Sequence, residues 1–238
     1  MTAAFQRKYI NIYAPALALL IFLLSLFPLN ADSFADDLYW AFSGNLFYFA
    51  ADNGVDSDPA PILPAFGISI AWNFWRPLRL ELTEDIYFIN YQYNNDLAYP
   101  MACTQAERSA FVLGFLTGIQ LTGHFNLGSK GSAIRVYGGP AADLRVITLA
   151  VGLHPELDLP DAQIQTDAIF DYFWGKGRWF MPVFGIGMDF PVNSGFKFGF
   201  DLRTWFPVYK LWTNDNTPAI DGWRFGAGLR ITLRKNPG

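Results

Sequence analysis

The sequence predicts an all-β chain: a closed, eight-stranded, antiparallel up-and-down barrel that crosses a membrane. Three observations carry this. Apolar and polar residues alternate with period two in stretch after stretch, the pattern of strands whose two faces meet different media. Aromatic residues make up 18% of the 238 residues and charged ones only 16%, against about 25% charged in an ordinary soluble domain. After residue 35, no apolar run reaches the roughly 20 residues that a spanning helix requires.

The chain opens on a processing signal. Arg7 and Lys8 precede an apolar run over 14–27, and Ser33 and Ala35 supply the small residues of a peptidase site. Residues 1–35 are expected to be a cleaved signal peptide and 36–238 a single barrel domain; the run is short for an anchor and is closed by Pro28. The whole chain has 17 basic and 21 acidic residues; removing Arg7, Lys8 and Asp32 leaves 15 against 20, a net charge of −5. Nucleic acid is therefore excluded as a partner class. The single cysteine, Cys103, rules out an internal disulfide framework.

Eight strands are read in order: 38–50, 63–75, 78–91, 108–125, 132–147, 178–192, 196–212 and 222–234. Each exceeds the roughly 9–11 tilted residues needed to cross the hydrocarbon. The joints alternate. Arg76-Pro77, the stretch NLGSKG and the stretch NSG are short and rich in turn formers, whereas the connections after 50, 91, 147 and 212 are long. An open sheet would leave unpaired backbone groups in lipid at several kcal/mol each, so the ends must close on each other.

Volume decides which face meets lipid. Phe66, Ile68, Ile70, Trp72 and Phe74 share one face of the second strand; Phe111, Leu113, Phe115, Ile119 and Leu121 share one face of the fourth. Phe180, Phe184, Ile186, Met188 and Phe190 do so in the sixth, and Phe196, Phe198, Phe200 and Leu202 in the seventh. An eight-stranded barrel is barely wide enough to be filled by side chains, and these would overpack it. The opposite face, with Gly67, Gly114, Gly185, Gly187, Gly199, Gly226 and Gly228, suits a narrow interior. The lumen then holds Arg79, Glu81, Asp85, Arg135, Asp143, Arg145, Asp189, Lys197, Asp201, Arg203, Arg224 and Arg230. Mixed charges in a tight lumen should pair across strands: as salt bridges that brace the wall or, with the basic excess lining a water path, as an anion-selective conduit. Glu84 falls on the lipid face in this register, which predicts a bulge or a one-residue shift near it.

The last strand carries the most local motif, RFGAGLRI over 224–231. Arg224, Gly226, Leu229 and Ile231 are similar to the signal read by the barrel-assembly machinery, although Arg234-Lys235-Asn236-Pro237-Gly238 follows where an aromatic end is usual. With the strand and joint pattern, the chain resembles the small bacterial outer-membrane barrels of the eight-stranded OmpA, OmpX and OmpW type over about 36–234. The resemblance implies a bacterial outer-membrane location, surrounding outer-membrane lipid and the assembly machinery as partners, and a monomer.

Candidate chemistry is sparse. The long connections hold Asp52, Asp56, Asp58, Asp96, Glu156, Asp158, Asp161, Asp167, Asp171, Asp215 and Asp221. Such acidic loops can take an extracellular ligand; DNGVDSD (52–58) offers oxygen ligands for a hard cation, but its spacing matches no complete calcium loop, and no metal or cofactor is expected. His154 has acidic neighbours but no serine between 148 and 177, and His124 lies near the other end of its strand, so no catalytic set assembles. Over 160–177, Ile164, Ala168, Ile169, Tyr172 and Phe173 recur at helical spacing, with Asp161 as N-cap and Gly175 as stop. This segment folds over the mouth as a helix or, with Phe173 and Trp174, lines a vestibule from which the OmpW-like resemblance implies sideways passage of an apolar solute into lipid. The expected role is structural, or a narrow channel for small molecules, some of them hydrophobic. The alternatives are a surface adhesin acting through its acidic loops and, third, a lipid-modifying enzyme or protease.

Overall fold

The computed structural model describes residues 38–50, 62–75, 77–94, 99–102, 110–128, 131–148, 159–193, 195–213 and 222–234. The strands are β1 (Leu38–Ala50), β2 (Ile62–Trp75), β3 (Leu78–Asn94), β4 (Tyr99–Ala102), β5 (Ala110–Leu127), β6 (Ser132–Gly139), β7 (Ala141–Thr148), β8 (Val183–Pro191), β9 (Phe196–Trp205) and β10 (Trp223–Arg234). Among the described residues, two helices interrupt them, α1 (Leu159–Trp174) and α2 (Lys210–Thr213).

All pairings are antiparallel, and the ring runs β3-β2-β1-β10-β9-β8-β6-β5 before β5 returns to β3. The first and last strands seal it, from Tyr39 opposite Arg234 to Ala50 opposite Trp223. Eight staves result, because β6 and β7 are successive halves of one and β4 only extends the hairpin of β3 over Tyr91–Asn94. The ring from β3 round to β5 closes on itself, as the backbone groups of a sheet in lipid require.

The expected strands differ from the observed ones for local reasons. The fifth is broken at Pro140, which has no N–H for the ladder. Its carbonyl still accepts from Ile119 N at 3.0 Å, and a Cβ on Gly139 would collide with the Ile119 carbonyl, so backbones approach closely here. β6 pairs with both β5 and β8, whereas β7 pairs with β5 and meets the segment before β8 through the Ala142–Phe180 bridge. The sixth strand begins at Val183 rather than 178, because a 3₁₀ turn over Gly175–Gly177, with Lys176 at φ 54°, precedes it. The seventh ends at Trp205 rather than 212, where Pro207 and α2 turn the chain away.

The short turns lie at one end of the barrel. Gly128 and Gly131, at φ 67° and 77°, take left-handed backbone between β5 and β6 that other residues rarely adopt. At the β8–β9 turn, Gly195 N donates to Asn193 Oδ1 at 3.0 Å. α1 belongs to the long β7–β8 connection and so lies at the opposite end, packed on β3, β4 and β7. It begins at Leu159, which places Asp161 in its first turn rather than at the N-cap, and it yields at Gly175 to the 3₁₀ turn. Of the residues expected on its inner face, Ile169 and Phe173 are buried, whereas Ile164 is exposed.

The bulky face points outward. Phe66, Phe111, Leu121, Phe184, Ile186, Phe190, Phe198, Phe200 and Leu202 are exposed, while Gly67, Gly187, Gly199 and Gly226 on the alternate face are buried. Aromatic rings gather near both rims: Phe206, Trp223 and Phe225 at the α1 end, with Phe206–Trp223 centroids 4.5 Å apart, and Trp40, Phe190 and Phe198 toward the turn end. An outward apolar band between aromatic girdles is the surface of a membrane-spanning barrel.

Candidate functional site in the barrel lumen

Alternation delivers every odd residue of β3 from Glu81 to Tyr91 to the inside, and it does the same along β6 and β7 through the break at Pro140. The lumen is consequently lined by side chains that sequence parity alone selects. They fall into three tiers.

Toward the turn end, Arg230 Nη1 meets Glu81 Oε1 at 2.6 Å. Arg135 lies between two carboxylates, with Nε 3.0 Å from Asp189 Oδ1 and Nη2 2.9 Å from Asp201 Oδ1. Arg79 stacks over the Tyr39 ring at 4.6 Å, and Asn73 Nδ2 donates to the Tyr39 hydroxyl at 3.1 Å. Lys197 and His124 occupy the same end, half-buried.

In the middle tier, Arg203 forks onto Asp85, Nη1 to Oδ2 at 2.5 Å and Nη2 to Oδ1 at 3.1 Å. Asn45 Nδ2 donates to Asp85 Oδ1 at 2.8 Å and the Tyr137 hydroxyl to Asp201 Oδ1 at 3.0 Å. A cavity of about 20 Å³ remains here, lined in part by Ser69, Thr83, Asp85, Gln120 and Tyr137. That is room for about one water.

In the outer tier, Asp143 receives Arg145 Nη2 at 2.5 Å, Arg224 Nη1 at 2.6 Å and the Tyr87 hydroxyl at 2.8 Å. Above it the lining turns apolar: Phe47, Phe49, Tyr87, Val112 and Trp205 are all 2% exposed or less. α1 caps them. Phe173 packs edge-on to Tyr91 at 4.8 Å, and the Arg145 guanidinium lies 4.0 Å from its ring centroid. Phe173 is thus buried within the mouth, whereas Trp174 is half-buried against Phe170.

The charged residues named from sequence therefore lie on the lumen face, and the structure joins most of them in four ion-pair groups. Sequence reasoning did not name Asn45, Tyr87, Tyr137, Phe47 or Trp205 as parts of this network. Parity marks each as inward, but nothing in the sequence says which tier it meets. Arg178 lies apart, buried near α1, with its guanidinium 4.0 Å from the Tyr172 ring centroid.

Two sequence readings change or fall outside the description. Glu84 needs no bulge: its register with Ile68 and Thr117 is continuous, and the irregularity of β2–β3 lies at Asn73/Trp75. The carboxylate faces outward and accepts from Thr117 Oγ1 at 2.6 Å. His154, Cys103 and the stretch 52–58 lie outside the described residues, among which no group of three metal-ligating side chains occurs. Arg224, Gly226, Leu229 and Ile231 all sit in β10, the first two facing inward and the others outward.

A charged, cross-linked interior within an apolar exterior inverts the order of a soluble barrel. The chain is a small, closed transmembrane β-barrel. No protein-family model matches it, and no curated protein is significantly similar. Among solved structures it is similar to Neisserial surface protein A, at 11% identity over 84% of this chain and 97% of that one, TM-score 0.48. It is also similar to the outer membrane protein OprG from Pseudomonas aeruginosa, at 9% identity over 85% and 98%, TM-score 0.48. The N-terminal β-barrel domain of Pseudomonas aeruginosa OprF is a further match, at 14% identity over 82% and 96%, TM-score 0.41.

Proposed function

We propose that this outer-membrane barrel is a structural element of the bacterial cell surface, braced shut from within, rather than a channel. The supporting observation is the Arg203–Asp85 pair. In the ring β3-β2-β1-β10-β9-β8-β6-β5, β9 and β3 lie on opposite sides, so this forked pair crosses the lumen at mid-height. The Asp143 cluster and the Phe47–Trp205 layer stand above it, and the Arg135 and Arg230 pairs below. Ions would have to break several charge-assisted hydrogen bonds in series to pass.

The barrel then serves as a rigid mount for the segments at the α1 end. Purified protein in planar lipid bilayers should give no steady conductance. A reproducible small current that responds to substitutions at Arg203 or Arg135 would return the protein to the channel reading.

A further inference from the structure

We propose that the turn end of the lumen is a binding site for a small oxyanion of the phosphate class, held by Arg79 and Lys197 beside His124. All three face inward by strand parity, Arg79 on β3, His124 on β5 and Lys197 on β9. Each is only partly buried, whereas Glu81 and Asp189, one step deeper on β3 and β8, are 2% exposed. Solutes therefore reach the first three from the turn end and meet a sealed layer behind them.

Arg79 is the exception among the lumen arginines. Arg135, Arg145, Arg203, Arg224 and Arg230 each meet a carboxylate at 3.0 Å or less, and among the described residues Arg79 meets none. The acids within its electrostatic reach are committed elsewhere, Glu81 to Arg230 at 2.6 Å and Asp189 to Arg135 at 3.0 Å. Its guanidinium lies over the Tyr39 ring, 4.6 Å from the centroid, and Tyr39 is itself fixed through its hydroxyl by Asn73 Nδ2. An arginine stacked on a ring uses the face of its planar group and keeps its N–H donors, which lie in the plane, for an anion.

The surroundings set the sign and the shape of the missing partner. Arg79, Arg135 and Lys197 all act electrostatically on His124, so three cations converge on one mouth. The short turns at this end add Arg76 and Lys130 and carry no acidic residue, the reverse of the long connections. Cations gathered between low-dielectric walls focus their field on the opening and draw in a counter-anion. A carboxylate spends both oxygens on one guanidinium fork, whereas a tetrahedral oxyanion keeps others for the Lys197 ammonium and an imidazole N–H of His124. The Arg135 and Arg230 pairs close the lumen behind it, so the anion binds without passing through.

The test dialyses full-length protein in dodecyl maltoside micelles, which contain no phosphate, to equilibrium against radiolabelled inorganic phosphate. Saturable binding of one phosphate per barrel is expected, displaced by sulfate and not by an equal concentration of chloride. Arg79→Gln and Lys197→Gln should each weaken it about tenfold, the worth of one charge-assisted hydrogen bond. Lys176→Gln, at the α1 end, should leave it unchanged. Heat-dependent gel mobility shows which variants still fold as barrels, and Lys197→Gln carries the same test should Arg79→Gln fail to fold. Glycerol phosphate competing as well as sulfate assigns a phosphoryl group on a larger solute; sulfate competing alone assigns the free ion. No saturable binding, displacement by chloride as readily as by sulfate, or unchanged affinity in the folded variants would each overturn the proposal.

Discussion

Arg203 on β9 and Asp85 on β3 stand on opposite walls of the barrel and meet in a two-pronged pair, with both side chains buried. The pair is a strut, and its removal should be felt by the whole ring. Arg203→Met leaves the Asp85 carboxylate with the Asn45 amide as its donor. Breaking a buried pair from one side costs about 3–5 kcal/mol, whereas replacing both partners by apolar side chains is often neutral. Urea unfolding of vesicle-inserted protein should show a large fall in midpoint for Arg203→Met and recovery of most of it in Arg203→Met/Asp85→Leu. A fall below about 1 kcal/mol would mean that water replaces the arginine without loss.

Gly114 and Tyr87 are direct cross-strand partners on the lumen face, and the Tyr87 ring occupies the space a Cβ at 114 would need. The same relation recurs between Gly185 and Tyr137. In both pairs the tyrosine lies over a residue without a side chain, and its hydroxyl reaches a carboxylate, Asp143 or Asp201. Gly114→Ala should therefore destabilise by about 1–3 kcal/mol through overpacking. Combined with Tyr87→Leu it should cost less than the sum of the two single changes, because the clash is shared. Strict additivity in the same urea assay would show that the ring yields freely.

The sequence made the wall legible because period-two alternation is a local property, written strand by strand, and closure follows from the demand of backbone groups in lipid. The facing of Phe198 against Lys197, or of Phe225 against Arg224, needs no partner to be known. Pairing across the lumen is different. That Arg203 meets Asp85 rather than Asp143 depends on strand stagger, and stagger is set by turns and by breaks such as Pro140 that alternation does not encode. Glu84 shows the same limit. A polar residue on the lipid face suggests a register error to anyone reading alternation alone, yet Thr117, distant in sequence, is what makes the position tenable.

Phe173 is the residue by which α1 enters the mouth, held between Tyr91 and the Arg145 guanidinium. Phe173→Ala removes a buried ring, a loss worth about 3–5 kcal/mol in a core. Here that loss should be confined to the cap, since the strand ladders do not depend on α1. Limited proteolysis of vesicle-inserted protein should cut between 159 and 182 many times faster in the variant, while heat-dependent mobility stays unchanged. Bilayer conductance should also remain absent, because the Asp143 and Asp85 clusters lie beneath the cap. A variant that conducts would place the block in α1 instead of the charged tiers.

Trp205 and Trp223 give an optical test of which face meets lipid. Trp205 is 2% exposed, on the lumen face, with its ring 5.0 Å from that of Phe47. Trp223 is 44% exposed, on the outer face beside Phe206. Bromine on acyl chains quenches indole fluorescence only at close range, so brominated lipid should darken Trp223 and leave Trp205 bright. The chain has eight tryptophans, so each change is read as a shift in the quenchable fraction. Trp223→Phe should lower that fraction, because a lipid-facing emitter is lost. Trp205→Phe should raise it, because a shielded emitter is lost. The opposite pair of shifts would turn the barrel inside out, with its aromatic rings on the axis and its arginines in the hydrocarbon, an arrangement in which Arg135, Arg203 and Arg224 would each cost about 2–4 kcal/mol at mid-depth.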